Sequence, residues 1–239
     1  MGQMGSGYGS ECHLLRWMGR HRTAFDKAVR AALGNADGNI DWLDLKFQPK
    51  NEWADEEWKG LDFITDATVR AAWRDFWPQR GNPPNWDTVG RLTNEWLLVE
   101  AKAHLGELRS ECKAKPEGGQ DKIHRNLEAT ANACGITEVS PWLKLYYQMA
   151  NRLTVLRFLH AQNVPARLLL IYFVGDLGSS SRKSPQTVEG WKEALERQDT
   201  ALGLNADSAL RPFVHKLFLH VNRLAAWKST DENDRISFE

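Results

Sequence analysis

Two carboxylates and one amine stand out in the middle of the chain because they interrupt a largely apolar stretch. Asp87, Glu100 and Lys102 lie between positions 85 and 104, among leucine, valine, alanine and tryptophan side chains. Burying a charged side chain is costly unless it is paired with an opposite charge or bound to a metal ion. Carboxylate oxygens are the ligands that hard divalent cations prefer. The three residues therefore indicate either an ion pair or a metal site.

The same stretch predicts a β-hairpin that would bring these side chains together. It reads as two extended runs joined by a polar turn at 93–95. Side chains alternate along a strand, so Glu100 and Lys102 fall on one face, and the hairpin folds Asp87 back towards them. The neighbouring Leu-Leu-Val run favours a central, buried strand. The alternative is an exposed strand on which Glu100 and Lys102 form a surface ion pair worth about 0–1 kcal/mol.

An aspartate, a dozen residues and then Glu-x-Lys is similar to the signature of the PD-(D/E)XK superfamily of restriction-endonuclease-like nucleases. Here Pro84 lies three residues before Asp87 rather than directly before it. The resemblance implies an α/β fold, with a restriction-endonuclease-like central mixed β-sheet flanked by α-helices. It also implies Mg²⁺ (or Mn²⁺) as cofactor, held by Asp87, Glu100 and the backbone carbonyl of Ala101. Lys102 would lie beside the attacking water.

Other stretches extend this resemblance over most of the chain. The segments similar to a bacterial branch of the superfamily are 8–16, 58–62, 99–104 and 172–176. We expect one domain, 1–239, with a flexible leader at 1–9 and a frayed tail at 229–239. No glycine-rich phosphate loop, Ser/His/Asp elbow or His-Glu-x-x-His motif favours another kind of hydrolase.

Three further residues have two interpretations each. Glu11 would be an outer acid of the active site by resemblance, or a carboxylate that favours the positive end of a helix dipole. Gln148 and Arg152 lie four residues apart, where relatives carry a Gln-x-x-x-Tyr helix. Gln148 would place the substrate and Arg152 would contact a phosphate. Alternatively, both form the polar border of an amphipathic helix.

Composition limits the setting of this chemistry. The chain has 31 basic and 31 acidic residues among 239, so no global positive field attracts nucleic acid, although a nuclease needs only a local basic cleft. Three widely spaced cysteines form no disulfide framework or zinc pattern and indicate a reducing cytoplasm. No apolar run approaches the roughly 20 residues that span a bilayer. Most of the tryptophans have apolar neighbours and are assigned to the core.

Hydrophobic periodicity predicts the surrounding elements. Apolar residues at helical spacing alternate with runs that are typical of strands. The predicted helices are 11–18, 23–33, 66–77, 120–133, 141–162 and 187–201. The predicted strands outside the hairpin are 40–47 at an edge, 166–174 buried on both faces, and 213–221 as the last strand.

These patterns lead to two functional hypotheses. The first is a Mg²⁺-dependent phosphodiesterase that cleaves nucleic acid, with DNA preferred over RNA as partner. The second is a non-catalytic protein of the same fold that binds nucleic acid or a protein partner. Neither involves a membrane, and the oligomeric state is left open, including a homodimer.

Overall fold

The computed structural model describes residues 7–34, 38–43, 57–178 and 184–221, and the backbone of strand residues 46–47, 55–56 and 236–238. The expected leader falls mostly outside these residues, as does most of the expected tail. The helices are α1 Ser10–Arg20, α2 Arg22–Ala32, α3 Ala67–Phe76, α4 Gln120–Ala133, α5 Ser140–Lys144, α6 Tyr147–Ala161 and α7 Glu189–Leu202. None of the helices in this part of the chain is long and apolar enough to cross a membrane.

The strands form one large sheet and two small pairings. Their bounds are β1 Ile40–Trp42, β2 Lys46–Phe47, β3 Asp55–Glu56, β4 Trp58–Lys59, β5 Asn85–Trp86, β6 Thr88–Leu92, β7 Glu95–Lys102, β8 Ala166–Val174, β9 Val214–His220 and β10 Ile236–Phe238. The six-stranded sheet has the order β1-β6-β7-β8-β9-β10, while β2 pairs with β3 and β4 pairs with β5.

The large sheet is mixed. β1 pairs antiparallel with β6, and β6 pairs antiparallel with β7. β7 pairs parallel with β8, and β8 pairs parallel with β9. The return from β7 to β8 is made through α4, α5 and α6, because parallel neighbours need a long crossover. The predicted α/β class, with a central mixed sheet flanked by helices, is confirmed.

Helices cover both faces of this sheet, and the alternation along β7 separates two cores. Leu97, Val99 and Ala101 pack in the core formed with α1 and α2. Leu98 packs in the other core, with α3 to α7. β8 is buried on both faces, as its apolar sequence predicts. Glu100 and Lys102 share the face of Leu98, so their charges point towards α6 rather than towards α1.

The predicted hairpin is confirmed and its register fixes the position of Asp87. Thr88 pairs with Val99, and Leu92 pairs with Glu95. The turn is formed by Thr93 and Asn94, with Thr93 at a φ of 42°. Continuing the register by one residue beyond the Thr88 pair places Asp87 opposite Glu100.

The long helix predicted at 141–162 is wrong in one respect, because the chain breaks between α5 and α6. Ser110 forms a parallel bridge with Tyr146. Its N–H donates to the carbonyl of Leu145 at 2.9 Å, and its carbonyl accepts from the N–H of Tyr147 at 3.2 Å. These bonds take backbone groups that a continuous helix would use for itself. The break makes Tyr147 the first residue of α6, so Gln148 lies in its first turn.

Two further strand predictions need correction. β1 covers only 40–42 of the expected strand 40–47, although it does lie at the sheet edge. β9 is not the last strand, since β10 pairs with it antiparallel from within the expected tail.

Candidate active site

Asp87, Glu100 and Lys102 converge where β6 ends its pairing with β7. The backbone N–H of Asp87 donates to the carbonyl of Val99 at 3.1 Å. Its carboxylate then accepts the N–H of Ala101 at 2.6 Å. The Lys102 ammonium donates to the Glu100 carboxylate. The hairpin therefore positions all three groups around two residues of one strand.

Beyond Val99, carboxylate side chains take the place of β6 as hydrogen-bond partners of Ala101 in β7 and of Ala103, which follows β7. Asp87 accepts from Ala101, and Glu107 Oε2 accepts from the N–H of Ala103 at 2.6 Å. Along a strand, the N–H and the carbonyl of one residue point to the same side. The carbonyl of Ala101 therefore faces the side on which Asp87 lies, as the expected third ligand requires.

Glu100 is held from the other side by Arg152 of α6. The arginine Nε and Nη2 atoms lie 2.8 Å and 2.7 Å from Glu100 Oε2. Its Nη1 donates to Asn151 Oδ1 at 2.7 Å, and its guanidinium carbon lies 4.9 Å from the centre of the Trp86 ring. Arg152 is only 4% exposed. In this arrangement it positions Glu100, and the predicted phosphate contact would need the side chain to move.

The pKa values of the three side chains differ from those of free side chains. Burial, and then the nearby charge of Glu100, raises the pKa of Asp87 to about 8. Burial also acts to raise the pKa of Glu100, but Arg152 and Lys102 outweigh it and hold that pKa below its usual value. Burial acts to lower the pKa of Lys102, and Glu100 followed by Asp87 raises it. At neutral pH the group thus consists of a protonated Asp87, an ionised Glu100 and two cations.

A small pocket opens onto Glu100 and Lys102. It measures about 20 Å³, room for roughly one water molecule. Its polar lining includes Glu107, Gln148 and Gln198. The predicted substrate-placing residue Gln148 is thus in the same pocket as the Glu-x-Lys side chains, and its backbone N–H donates to Ser110 Oγ at 2.7 Å.

Glu11 lies in the first turn of α1 and is half-buried. That helix packs through Leu14 and Trp17 on the sheet face opposite to Glu100. Its start is tied to the end of β8 by a buried contact of 3.0 Å between His13 Nε2 and Asp176 Oδ1. Within the described residues, no group of three or more His, Cys, Asp or Glu side chains is arranged to hold a metal. Glu11 as an outer ligand stays a prediction.

The alternative of a surface ion pair does not describe this site. The side chains of Glu100 and Lys102 are 5% and 14% exposed, and they lie on a central strand. The buried pair therefore agrees with the expectation from the flanking Leu-Leu-Val run.

Sequence reasoning missed Glu107. This half-buried residue lies in a short 3₁₀ helix, Leu105–Leu108, and its carboxylate also contacts His104 Nε2 at 3.2 Å. It is brought to the site by the N–H of Ala103, which β6 leaves unpaired. The only sequence signal was an acid five residues after Lys102, and nothing in its spacing marks it.

The chain was compared with family models, with curated proteins and with solved structures. None of the three comparisons finds a match.

Proposed function

We propose that this protein is a metal-dependent nuclease that cleaves phosphodiester bonds in nucleic acid, with DNA as the preferred substrate. The observation that carries the proposal is the convergence of Asp87, Glu100 and Lys102 at the end of a hairpin, with the carbonyl of Ala101 on the same side as Asp87. An Asp…Glu-x-Lys pattern does not by itself place its side chains on one face, whereas here the hairpin register places Asp87 opposite Glu100.

The order of elements supports the same family resemblance. Helices α1 and α2 precede the antiparallel strands β1, β6 and β7, and α6 leads to the parallel strand β8. In the superfamily that the sequence resembles, a helix and a buried strand follow the Glu-x-Lys strand in this way. The likeness of the architecture supports the proposal, and the site residues carry it.

The donor set fits Mg²⁺ or Mn²⁺. Asp87, Glu100 and the Ala101 carbonyl offer oxygen ligands, which Mg²⁺ prefers, and this ion keeps several waters of its own. Burial, and then the charge of Glu100, raises the pKa of Asp87, and a cation held by both carboxyls would offset their repulsion when both are ionised. A divalent cation bound there would supply charge stabilisation and an activated water.

The protein side chains have separate roles in this proposal. Lys102 places a positive charge where negative charge develops on the reacting phosphate. Arg152 holds Glu100 in one orientation through two bonds to the same oxygen. Gln148, in the pocket beside them, would orient the substrate or a water.

The direct test is cleavage of labelled single-stranded and double-stranded DNA and RNA by the purified protein. We expect cleavage with Mg²⁺ or Mn²⁺ and none with EDTA. A protein that leaves all four substrates intact with either metal, while binding that metal, contradicts the proposal.

Metal binding should depend on pH through Asp87. Because its pKa is raised to about 8, mainly by burial, Asp87 is protonated at neutral pH and must release that proton to bind a cation. The apparent Mg²⁺ affinity should therefore rise by about tenfold per pH unit up to about pH 8 and level off above it. Calorimetry in two buffers of different ionisation enthalpy should find about one proton released per ion near pH 6.5. Asp87→Asn should remove this pH dependence.

A second candidate function is a non-catalytic protein of the same architecture that binds nucleic acid or a protein partner. The observation that favours it is the pairing of Glu100 with both Lys102 and Arg152, which leaves less of that carboxylate for a metal ion. Calorimetry that detects no Mg²⁺ or Mn²⁺ site, or a site that Asp87→Asn does not change, would select this function.

The cellular compartment and the oligomeric state are part of the same proposal. We place it in the cytoplasm, since no disulfide joins Cys12, Cys112 and Cys134 in the described residues and a reducing compartment keeps thiols in that state. A homodimer is one form in which the enzyme would act on a duplex, and sedimentation of the parent protein measures it.

A further inference from the structure

A second, larger cavity lies beside the strand that leads into the candidate active site. It measures about 250 Å³, against about 20 Å³ for the pocket at Glu100. It is formed between the end of β4, the segment that follows β4, helix α3 and the turn before β5. Its lining includes Lys59, Gly60, Asp62, Arg70, Trp73 and Arg74.

The lining of this cavity carries an excess of positive charge. Lys59, Arg70 and Arg74 are exposed cations, and Asp62 is the one carboxylate among the lining residues. Arg70 and Arg74 are four residues apart on α3, so they lie on the same side of the helix. None of the three cations has an ion-pair partner in the described part of the chain. Their charges are therefore available to an anion from solution.

The cavity is rigidly connected to the candidate site. Trp86 Nε1 donates to the carbonyl of Gly60, a lining residue, at 2.9 Å. The other side of this connection is Arg152, whose guanidinium carbon is 4.9 Å from the Trp86 ring centre and which holds Glu100. Lys59 pairs with Asn85, two residues before Asp87. The Trp86 ring thus lies between the basic cavity and the Arg152–Glu100 contact of the candidate site.

Helix α3, which forms one wall of the cavity, is held in place by the packing of Trp73. Trp73 stacks on Trp77 with ring centres 5.7 Å apart, and its edge meets Phe158 of α6 at 5.3 Å. Packing against α6 fixes α3, and therefore the spacing between its two arginines and the site. The backbone of α3 is therefore ordered before an anion binds, and only the exposed side chains of Arg70 and Arg74 lose rotamer entropy on binding.

We propose that this cavity binds the phosphate backbone of the substrate strand next to the bond that is cut. The inference rests on the proposed function, since it takes the ligand to be the nuclease substrate. The chain as a whole has no net charge, so a local cluster of cations beside the site must supply the attraction for a polyanion. Arginine suits this task because its planar fork of donors matches phosphate oxygens.

The test removes the two arginines of α3 together. We expect Arg70→Gln/Arg74→Gln to bind a labelled oligonucleotide about tenfold more weakly than the parent, and the slope of log K against log salt to fall by between about one and two. Binding is followed by fluorescence anisotropy in EDTA over a KCl series, with single-stranded and duplex DNA. Both side chains are exposed, so the fold should survive, and circular dichroism checks this.

The control is Arg16→Gln/Arg20→Gln, which removes two exposed arginines at the same spacing from α1, on the other face of the sheet. It should bind like the parent. Equal binding by the α3 variant and the parent overturns the proposal, as does equal weakening in both double variants. A parent that binds inorganic phosphate in this cavity but no oligonucleotide overturns the assignment to a nucleic-acid strand. Binding is measured in EDTA, where no cleavage occurs, so it does not depend on catalysis. A protein that binds as expected but never cleaves therefore supports the binding role of the cavity and contradicts only the nuclease function.

Discussion

Lys102→Met should lower the rate of metal-dependent DNA cleavage by about 10²–10³, the usual cost of losing one charge aimed at the transition state. Methionine keeps most of the apolar length of lysine but cannot donate to Glu100. Asp87→Asn should have a similar effect, because an amide still accepts the Ala101 N–H but is a poor ligand for Mg²⁺. Single-turnover cleavage at saturating Mg²⁺, with the parent protein alongside, measures both losses.

The matched control is Lys216→Met on β9. Lys216 is as buried as Lys102, with 12% against 14% of its side chain exposed, and it donates to Asp199 at 2.6 Å. It also lies on a central strand but outside the candidate site. We expect it to lose stability comparably and to keep cleavage near the parent rate. If Lys102→Met and Lys216→Met cleave equally well, the site assignment is wrong.

Local sequence patterns predicted the elements that carry the site. The helix predicted at 120–133 is found with those bounds, because both its apolar spacing and its end near Gly135 are local features. The hairpin and β8 could be predicted equally well, since alternation and an unbroken apolar run are signals within single strands. The register that places Asp87 opposite Glu100 follows from the short turn at Thr93 and Asn94.

Features that depend on contacts between residues far apart in the chain could not be predicted from the sequence. The break between α5 and α6 depends on Ser110, which lies more than thirty residues before the bond partners it takes. The apolar spacing from Leu145 to Leu156 continues across the break and hides it. β10 was missed because it has only three residues and follows a charged run, so its strand character comes from pairing with β9.

The same limit applies to the site itself. Glu100 and Lys102 could be assigned to one face because they are two residues apart on one strand. Arg152 was noted for its spacing to Gln148, but its contact with Glu100 joins residues 52 apart in sequence. Such a contact depends on how α6 packs on the sheet, which no local pattern encodes.

Arg152→Met should destabilise the fold by about 3 kcal/mol, because removing one partner of a buried ion pair leaves the other charge poorly compensated. Lys102 still contacts Glu100 but cannot replace both arginine bonds. Urea unfolding at pH 7 measures the change. Arg197→Met is the control, since its side chain is 62% exposed and its pair with Glu193 joins residues four apart on a helix. Its loss should cost less than about 0.5 kcal/mol.

The destabilisation should depend on pH in a defined direction. In the parent, the lowered pKa of Glu100 means that its ionised form stabilises the fold above its ordinary value of 4.5, and that this stabilisation is lost as pH falls through the lowered pKa. Without Arg152, burial should instead raise that pKa above its ordinary value. The folded variant would then bind a proton more readily than the unfolded chain. The difference in stability between parent and variant should therefore grow as pH rises above about 4.5 and shrink towards acid pH.

A double variant separates the charge effect from lost packing on Trp86. Glu100→Gln/Arg152→Met removes both charges, so no ionised carboxylate is left buried without its partner. We expect it to be more stable than Arg152→Met alone, with an interaction free energy of about 1–3 kcal/mol in the double-mutant cycle. If the cycle closes without interaction and the loss in Arg152→Met does not change with pH, Arg152 acts only through its packing. Glu100 would then be positioned by Lys102 alone, and a nuclease built on this site would lack the arginine that fixes its second metal ligand.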